Sequence, residues 1–276
     1  LNHQFKKEKE PLDFLEQSKD AIFTTSDIEQ HPAKRTPPPP FITSTLQQEA
    51  AKQIGLSVSQ TMHLAQELYE SGLITYMRTD SVTLSNFALN AAKEFINSNY
   101  GEKYYKRRQY KTKSKGAQEA HEAIRPTDLS KPTIDASGQI KRLYELIWQR
   151  ALASQAAEAQ IDHLSINIEA DSAMFLATGQ TITFPGYLSI YPEQTQEKIL
   201  PHLTDKEPLK LLELTTDQHF TQPPARYSDA GLVKQLEKYG IGRPSTYAPI
   251  IATIEKRGYV IRDNYKRLEP TAIGKI

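Results

Sequence analysis

Four consecutive prolines, Pro37–Pro40, constrain what this chain can fold into more than any other feature. Proline fixes φ and has no N–H to donate, so the run fits neither a helix interior nor a central strand and reads as a stiff connector. Gln222-Pro223-Pro224 forms a second joint of the same kind. Between the joints the hydrophobic period changes, from helical spacing to strict alternation near residue 163. The most economical layout is a helical domain (41–160) inserted into a β-rich domain made of 1–40 and 161–222, with a helical piece at 223–276. The fold class expected is therefore α+β and multidomain.

Local signals fill in this layout. Ser44 or Thr45 with Gln47 or Gln48 offers a capping box for a helix ending near Ile54. Ser57 with Gln60 offers another, for a helix with Met62, Ala65, Leu68 and Tyr69 at helical spacing that stops at Gly72. Ser85 caps a helix to about Asn97, and Leu143, Leu146, Ile147 and Leu152 share a face of a helix over 138–155. Strands are predicted at HLSINIEA, MFLATGQTITF and LKLLELTT, with a shorter one at AIFTT after an amphipathic segment holding Leu12 and Leu15. Beyond the second joint, helices at 228–238 and 246–257 followed by a hairpin-like YVIRDNYKRLEPT suggest a winged-helix-like arrangement.

Composition narrows the function classes. With 38% hydrophobic and 24% charged residues the chain reads as soluble and globular, and it has no run of 18 apolar residues, so no transmembrane helix and no membrane role are expected. The absence of cysteine excludes disulfides and thiolate metal sites and allows a cytoplasmic location. The chain opens without an initiator methionine or a signal-peptide core, and is expected to be a segment of a longer protein. A net charge of +1 argues against strong nucleic-acid binding, but its distribution does not. Residues 103–115 hold seven Lys/Arg and no acid, and 226–276 hold ten Lys/Arg against five Asp/Glu. Such asymmetry suits local phosphate-facing surfaces. For 103–115 a solvated loop is an equally good reading.

Three segments carry candidate chemistry. In ITYMRTDS (74–81), Tyr76 stands two residues before Arg78 on an extended run after a helix. A tyrosine hydroxyl is a nucleophile only with help, and an arginine fork can orient and neutralise an attacked phosphate. In QEAHEAIRPTD (118–128), His121 and Arg125 would share a face of one helical turn, with Glu122 between them. A zinc pair needs a second His where Arg125 stands, so no metal ligand is assigned. In KYGIGRPSTYAPII (238–251), Gly240 and Gly242 allow a tight turn, Pro244 suits a first helical turn, and Arg243, Ser245 and Thr246 flank it. That is either a phosphate seat at a helix N-terminus or a well-capped structural helix.

Taken together, PFITSTLQQEA (40–50), ITYMRTDS, AHEAIRPT (120–127) and PPARYSDAGLVKQLEKYGIGRPSTYAPII (223–251) resemble the bacterial type IA DNA topoisomerases of the topoisomerase I branch, in the family's order. Met77 marks that branch, because the topoisomerase III branch usually has proline there. The resemblance implies that Tyr76 attacks a single-stranded DNA phosphodiester to form a 5′-phosphotyrosyl link, that Arg78 holds the scissile phosphate and that His121 supports binding and catalysis. It implies Arg125 as a further phosphate contact and Arg243, Ser245 and Thr246 as binders of the strand leading to the site. By the same resemblance 41–160 is a gate, 1–40 and 161–222 are a hinge arch, and 223–276 is part of a DNA-binding base.

It implies further that the full-length enzyme uses Mg²⁺ and no nucleotide cofactor. Its partners would be single-stranded DNA and negatively supercoiled duplex DNA, and it would act as a monomer in the cytoplasm, associated with the nucleoid. One departure limits the expectation. The family's acidic metal-binding (Toprim) domain carries Asp-x-Asp-x-Glu, and no Asp-x-Asp occurs in this chain. The chain by itself is thus expected to bind single-stranded DNA without cleaving it. Tyrosine recombinases and type IB topoisomerases place their tyrosine after the His and Arg, whereas Tyr76 precedes His121. A non-enzymatic winged-helix module would explain 226–276 but leaves the Tyr76 segment without purpose.

Overall fold

Strand pairing joins pieces of chain that the helical block separates in sequence. The computed structural model describes residues 5–7, 9–110, 122–171, 173–193 and 197–276, and divides into two units. The first takes residues up to Thr36, Glu158–Gly186 and Pro192–Pro223. It contains helix α1 (Lys9–Ser18) and an antiparallel sheet of strands β1 (Phe23–Arg35), β2 (Ala159–Ala170), β3 (Ala173–Phe184) and β4 (Pro208–Leu209) in the order β3-β2-β1-β4. β1 pairs with β2 from Phe23↔Ala170 to Arg35↔Ala159. A bulge interrupts the ladder between Ser26 and Ile28, where Asp27 has φ 38°. Aromatic rings hold α1 to the sheet: Phe14 lies 6.1 Å from Phe175, and Phe175 lies 5.7 Å from Phe23.

Two strand expectations need correction. The strand predicted at AIFTT runs on through SDIEQHPAKR to Arg35. That stretch is polar and carries Pro32, so it has no pattern of its own; the ladder with β2 imposes the extended form. Pro32 is tolerated because β4 pairs only with Phe23 and Thr24, leaving that edge of β1 open. Conversely, LKLLELTT (209–216) alternates, but only its first residue, Leu209, lies in a strand, the end of β4. Alternation describes a half-buried strand, yet no neighbouring strand continues past Phe23, and Leu212 stands 88% exposed.

The second unit comprises Pro37–Ala157, Tyr187–Tyr191 and Pro224–Ile276. Its helices are α2 (Thr43–Gln53), α3 (Val58–Glu70), α4 (Asn86–Tyr100), α5 (Gly138–Ala153), α6 (Asp229–Lys238) and α7 (Tyr247–Lys256). A hairpin of β5 (Val260–Arg262) and β6 (Leu268–Pro270) and a last turn α8 (Ala272–Lys275) follow. Leu46, Ala50, Ala65, Leu68, Leu89, Ile96, Leu143, Ile147 and Leu152 are buried and form the core of the helical block. The Ser57–Gln60 capping box is present, with each side chain accepting the other's backbone N–H at 3.2 and 3.0 Å. Ser85 caps α4, which runs past Asn97 to Tyr100. α2 begins earlier than its capping signal, with Ile42 at the N-cap and its N–H donated to Thr45 Oγ1 at 3.0 Å. Ser44 is unavailable as a cap because its hydroxyl donates to Glu237 Oε1 at 2.8 Å.

Arg150 fastens the proline connector to this unit. It is buried, and its Nε donates to Pro39 O at 2.7 Å while its guanidinium lies 4.8 Å from the Phe41 ring and 5.2 Å from the Tyr191 ring. Arg150 Nη1 and Gln53 Nε2 donate to the Tyr191 hydroxyl at 3.2 and 2.7 Å, and that hydroxyl donates to Glu49 Oε2 at 3.2 Å. Burial pushes the Tyr191 phenol up to about 12 against the lowering effect of Arg150. Two of the three entries of the chain into the helical unit, at 37–41 and 187–191, thus meet one guanidinium. Arg150→Met, which keeps the bulk and removes the donors, is expected to cost on the order of 2–4 kcal/mol in a urea unfolding series. An unchanged midpoint would show that these hydrogen bonds do not hold the joint.

Candidate active site

Tyr76 and Arg78 face outward because their neighbours face inward. Met77 and Thr79 are 1% and 3% exposed, whereas Tyr76 is 39% exposed and Arg78 is also exposed. The segment bends at Thr75, Met77 and Arg78 and is not the extended run expected from the sequence, yet burial alternates along it, so that Met77 and Thr79 face in while Tyr76 and Arg78 face out. The segment is held from both flanks. On one, the Thr43 hydroxyl accepts the Thr79 N–H at 2.9 Å and lies 2.8 Å from Met77 O and 3.0 Å from Thr79 O, while Thr43 N–H donates to Thr79 O at 3.0 Å. On the other, Thr75 N–H donates to Arg125 O at 2.8 Å, its hydroxyl donates to Ala123 O at 2.7 Å, and Arg125 N–H returns to that hydroxyl at 3.0 Å. The Tyr69 ring meets the Tyr76 ring edge-on at 5.2 Å.

The second motif is not a helical turn. Residues 122–127 run extended, with isolated bridges Phe41↔Ile124 and Ile74↔Pro126. A residue before proline is driven out of the α region, and Arg125 precedes Pro126, so Arg125 does not stand on the helical turn expected there. Arg125 is 7% exposed. Its Nη2 and Nε donate to Glu122 Oε2 and Oε1 at 2.6 and 3.3 Å, and its Nη1 donates to Pro126 O at 2.8 Å. Glu122 Oε1 also accepts the Ser85 N–H at 2.6 Å, at the start of α4. Burial pushes the Glu122 carboxyl up, but the Arg125 guanidinium and the Ser85 donor outweigh it, and the net shift is downward. His121 lies outside the described residues, as do Lys111, Lys113 and Lys115.

The third motif forms the turn between α6 and α7. Gly242 has φ +81°, and a Cβ there would come within 3.1 Å of Ile250 and Thr246, so the turn requires glycine. Pro244 sits in this turn and not in the helix, because α7 starts at Tyr247 with Thr246 as N-cap. The Thr246 hydroxyl accepts the Arg243 N–H at 2.7 Å, and Arg243 Nη1 donates to Gly242 O at 2.7 Å. Val233, Tyr247 and Ile251 pack with Val58 at the start of α3, which seats the turn beside that helix. Met62 of α3, Arg78, Pro244, Ser245 and Ala248 consequently line one groove of about 270 Å³. Arg78 and Ser245, far apart in sequence, are brought together; Tyr76, Arg125, Arg243 and Thr246 are not in that lining. The groove offers a guanidinium and two hydroxyls, those of Ser59 and Ser245, between apolar walls, which suits an anion attached to a flat or apolar body.

Several residues that build the site had no signal in the sequence. Thr43 and Thr75 matter only through partners more than thirty residues away, and the second partner of Glu122, the Ser85 N–H, is as distant. In the basic stretch, Arg108 Nη1 donates to Ala156 O and Lys106 O, and Arg107 Nη2 donates to Asn86 Oδ1 at 2.9 Å, so part of that charge anchors the loop. Among the described residues no group of three or more His, Asp or Glu could hold a metal ion, so a Mg²⁺ site does not fit the donors found here.

Comparison with known proteins shows what the chain as a whole is similar to. A family profile described as DNA topoisomerase matches residues 1–276. DNA topoisomerase 1 of Rickettsia felis is 44% identical over 291 residues, covering 98% of this chain and 37% of that protein. DNA topoisomerase 1 of Mycobacterium tuberculosis is 50% identical over 265 residues, covering 86% of this chain and 28% of that protein. The structure of full-length topoisomerase I from Thermotoga maritima superposes with a TM-score of 0.86 at 34% identity, over 99% of this chain and 47% of that one. The chain thus spans only part of the length of these curated relatives, 37% of the first and 28% of the second.

The Glu122 pair gives a pH test. Its folded-state pKa is depressed, so its stabilisation is present above the unfolded pKa and is lost as pH falls through the folded value. The stability gap between the wild type and Glu122→Gln is expected to be widest near pH 7 and to close below about pH 4 in urea unfolding. A gap independent of pH would contradict the assignment.

Proposed function

With the chain a member of the bacterial DNA topoisomerase family, we propose that it is the strand-cutting and strand-gripping part of a type IA enzyme that relaxes negatively supercoiled DNA. Tyr76 Oη attacks the phosphorus of a single-stranded phosphodiester. The Oη–P bond forms as the P–O3′ bond breaks, the phenolic proton leaves, and the departing oxygen becomes a 3′-hydroxyl. The 5′-phosphotyrosyl ester keeps the bond energy, so resealing by the returning 3′-hydroxyl needs no nucleotide. Arg78 offsets the charge on the attacked phosphate. Arg243, Ser245 and Thr246 grip the strand that leads to it, and His121 supports binding and catalysis. Arg125, with its donors engaged by Glu122 and Pro126 O, serves as a positioning residue for the Tyr76 segment and not as a phosphate contact.

The observation that carries this reading is the outward pairing of Tyr76 and Arg78 on a segment clamped from both flanks, with Arg78 opening into the groove that holds Ser245. In this proposal 41–160 moves as a gate, 1–40 and 161–222 form its hinge arch, and 223–276 belongs to the DNA-binding base. The Ser44–Glu237 hydrogen bond then joins gate to base and breaks on opening. Mg²⁺ is proposed as a requirement of the full-length enzyme, and no step above runs through it. The enzyme acts as a monomer in the cytoplasm, on the nucleoid and away from membranes, while the 276-residue chain alone binds single-stranded DNA and does not cut it. Tyr76→Phe in the full-length protein is expected to lower plasmid relaxation by at least about 10³-fold with single-strand binding retained. Unchanged relaxation would remove Tyr76 from the chemistry.

A further inference from the structure

The β5–β6 hairpin ends in a turn that the proposed cutting chemistry does not use. Its tip exposes Tyr265, 82% accessible, with the Arg267 guanidinium 6.0 Å from the ring centre. The ring buries little, so it contributes little to folding. Yet the turn is firmly built. Asp263 Oδ1 accepts the N–H groups of Tyr265 and Arg267 at 2.9 and 2.8 Å, and Asp263 N–H donates to Arg267 O at 2.9 Å. At its base Arg262 pairs with Asp229 of α6 and Glu255 of α7 at 2.9 and 2.6 Å, which fixes the hairpin to both helices. Lys266 holds φ 58°, a left-handed conformation that glycine or asparagine adopts at lower cost.

Charge separates the tip from an ordinary solvated turn. The carboxylates of this region are engaged elsewhere: Asp229 and Glu255 on Arg262, Glu269 on Arg226 at 2.8 Å, and Asp263 on the turn's own backbone. Lys266 and Arg267 have no ion-pair partner among the described residues. An exposed aromatic ring followed in the same turn by two cations without ion-pair partners is the arrangement that stacks an unpaired base and meets the phosphates beside it. Bases stacked inside a duplex cannot reach such a ring.

We propose that this turn is a second contact for single-stranded nucleic acid, outside the Arg78 groove, with Tyr265 stacking one base and Lys266 and Arg267 meeting flanking phosphates. It rests on the single-strand binding proposed above and adds a contact to it. The test uses the 276-residue chain and a fluorescent 30-nucleotide oligo(dT), with anisotropy read across a salt series. Tyr265→Ala is expected to weaken binding by roughly five-fold or more, and Tyr265→Phe, which keeps the ring, to restore it. The double variant Lys266→Gln, Arg267→Gln is expected to lower the salt slope by about 1.4. Arg243→Gln, in the turn proposed above to grip the strand, serves as the control for that reading. If Arg243→Gln weakens binding while the tip variants keep wild-type affinity and slope, the tip contact is overturned and the functional reading stands. If the wild-type chain does not bind the oligonucleotide even at low salt, both are overturned.

Discussion

A single threonine hydroxyl, that of Thr43, sets the course of the segment on which the candidate chemistry depends. It takes the Thr79 N–H and lies within hydrogen-bond distance of two carbonyls of the same segment. The segment between α3 and α4 has no regular structure to satisfy its backbone groups, and buried groups of that kind must find partners. Thr43 and Thr75 supply them from opposite flanks, and Met77 fills the space beneath. With Met77 and Thr79 pinned inward, the bends of the segment leave Tyr76 and Arg78 turned to the surface.

The neighbouring elements serve the same end. Glu122 holds Arg125 in the wall that Thr75 leans on and ties that wall to the first turn of α4. Thr43 can act as a clamp because α2 starts beside it, and α2 starts there because Arg150 fastens the proline connector immediately upstream. On the other side of Arg78, packing of Val233, Tyr247 and Ile251 on Val58 brings the glycine turn and Ser245 up to α3. The groove is therefore a product of helix packing, with the turn delivered to it. Residues that hold a nucleophile in this way act through geometry, and small displacements in them alter reactivity.

Much of this was legible from residue order and some of it was not. The capping box at Ser57, the N-cap at Ser85, the apolar face of α5 and the alternation of β2 and β3 are local signals, and the elements stand where those signals lie. The errors fall where a distant partner decides. The polar second half of β1 is extended only because β2 lies alongside it, and LKLLELTT has the pattern of a strand but no ladder to join. The helical turn expected at Arg125 gave way to Pro126 and to pairing with the Tyr76 segment, which spacing alone could not reveal. For the site, the motifs named Tyr76, Arg78 and Ser245, but the Thr43 and Thr75 clamps were invisible because threonine is common and their partners lie far along the chain.

The account's central claim is that this clamped segment presents Tyr76, and no other tyrosine, to a DNA phosphate. Tyr69 makes the claim demanding, since its ring lies only 5.2 Å from that of Tyr76. The direct measurement is to trap the full-length protein on a single-stranded oligonucleotide with denaturant, digest both, and locate the nucleotide remnant by peptide mass spectrometry. The account requires the remnant on Tyr76, joined through a 5′-phosphate. A remnant on Tyr69, or on any residue outside the 74–81 segment, would contradict it.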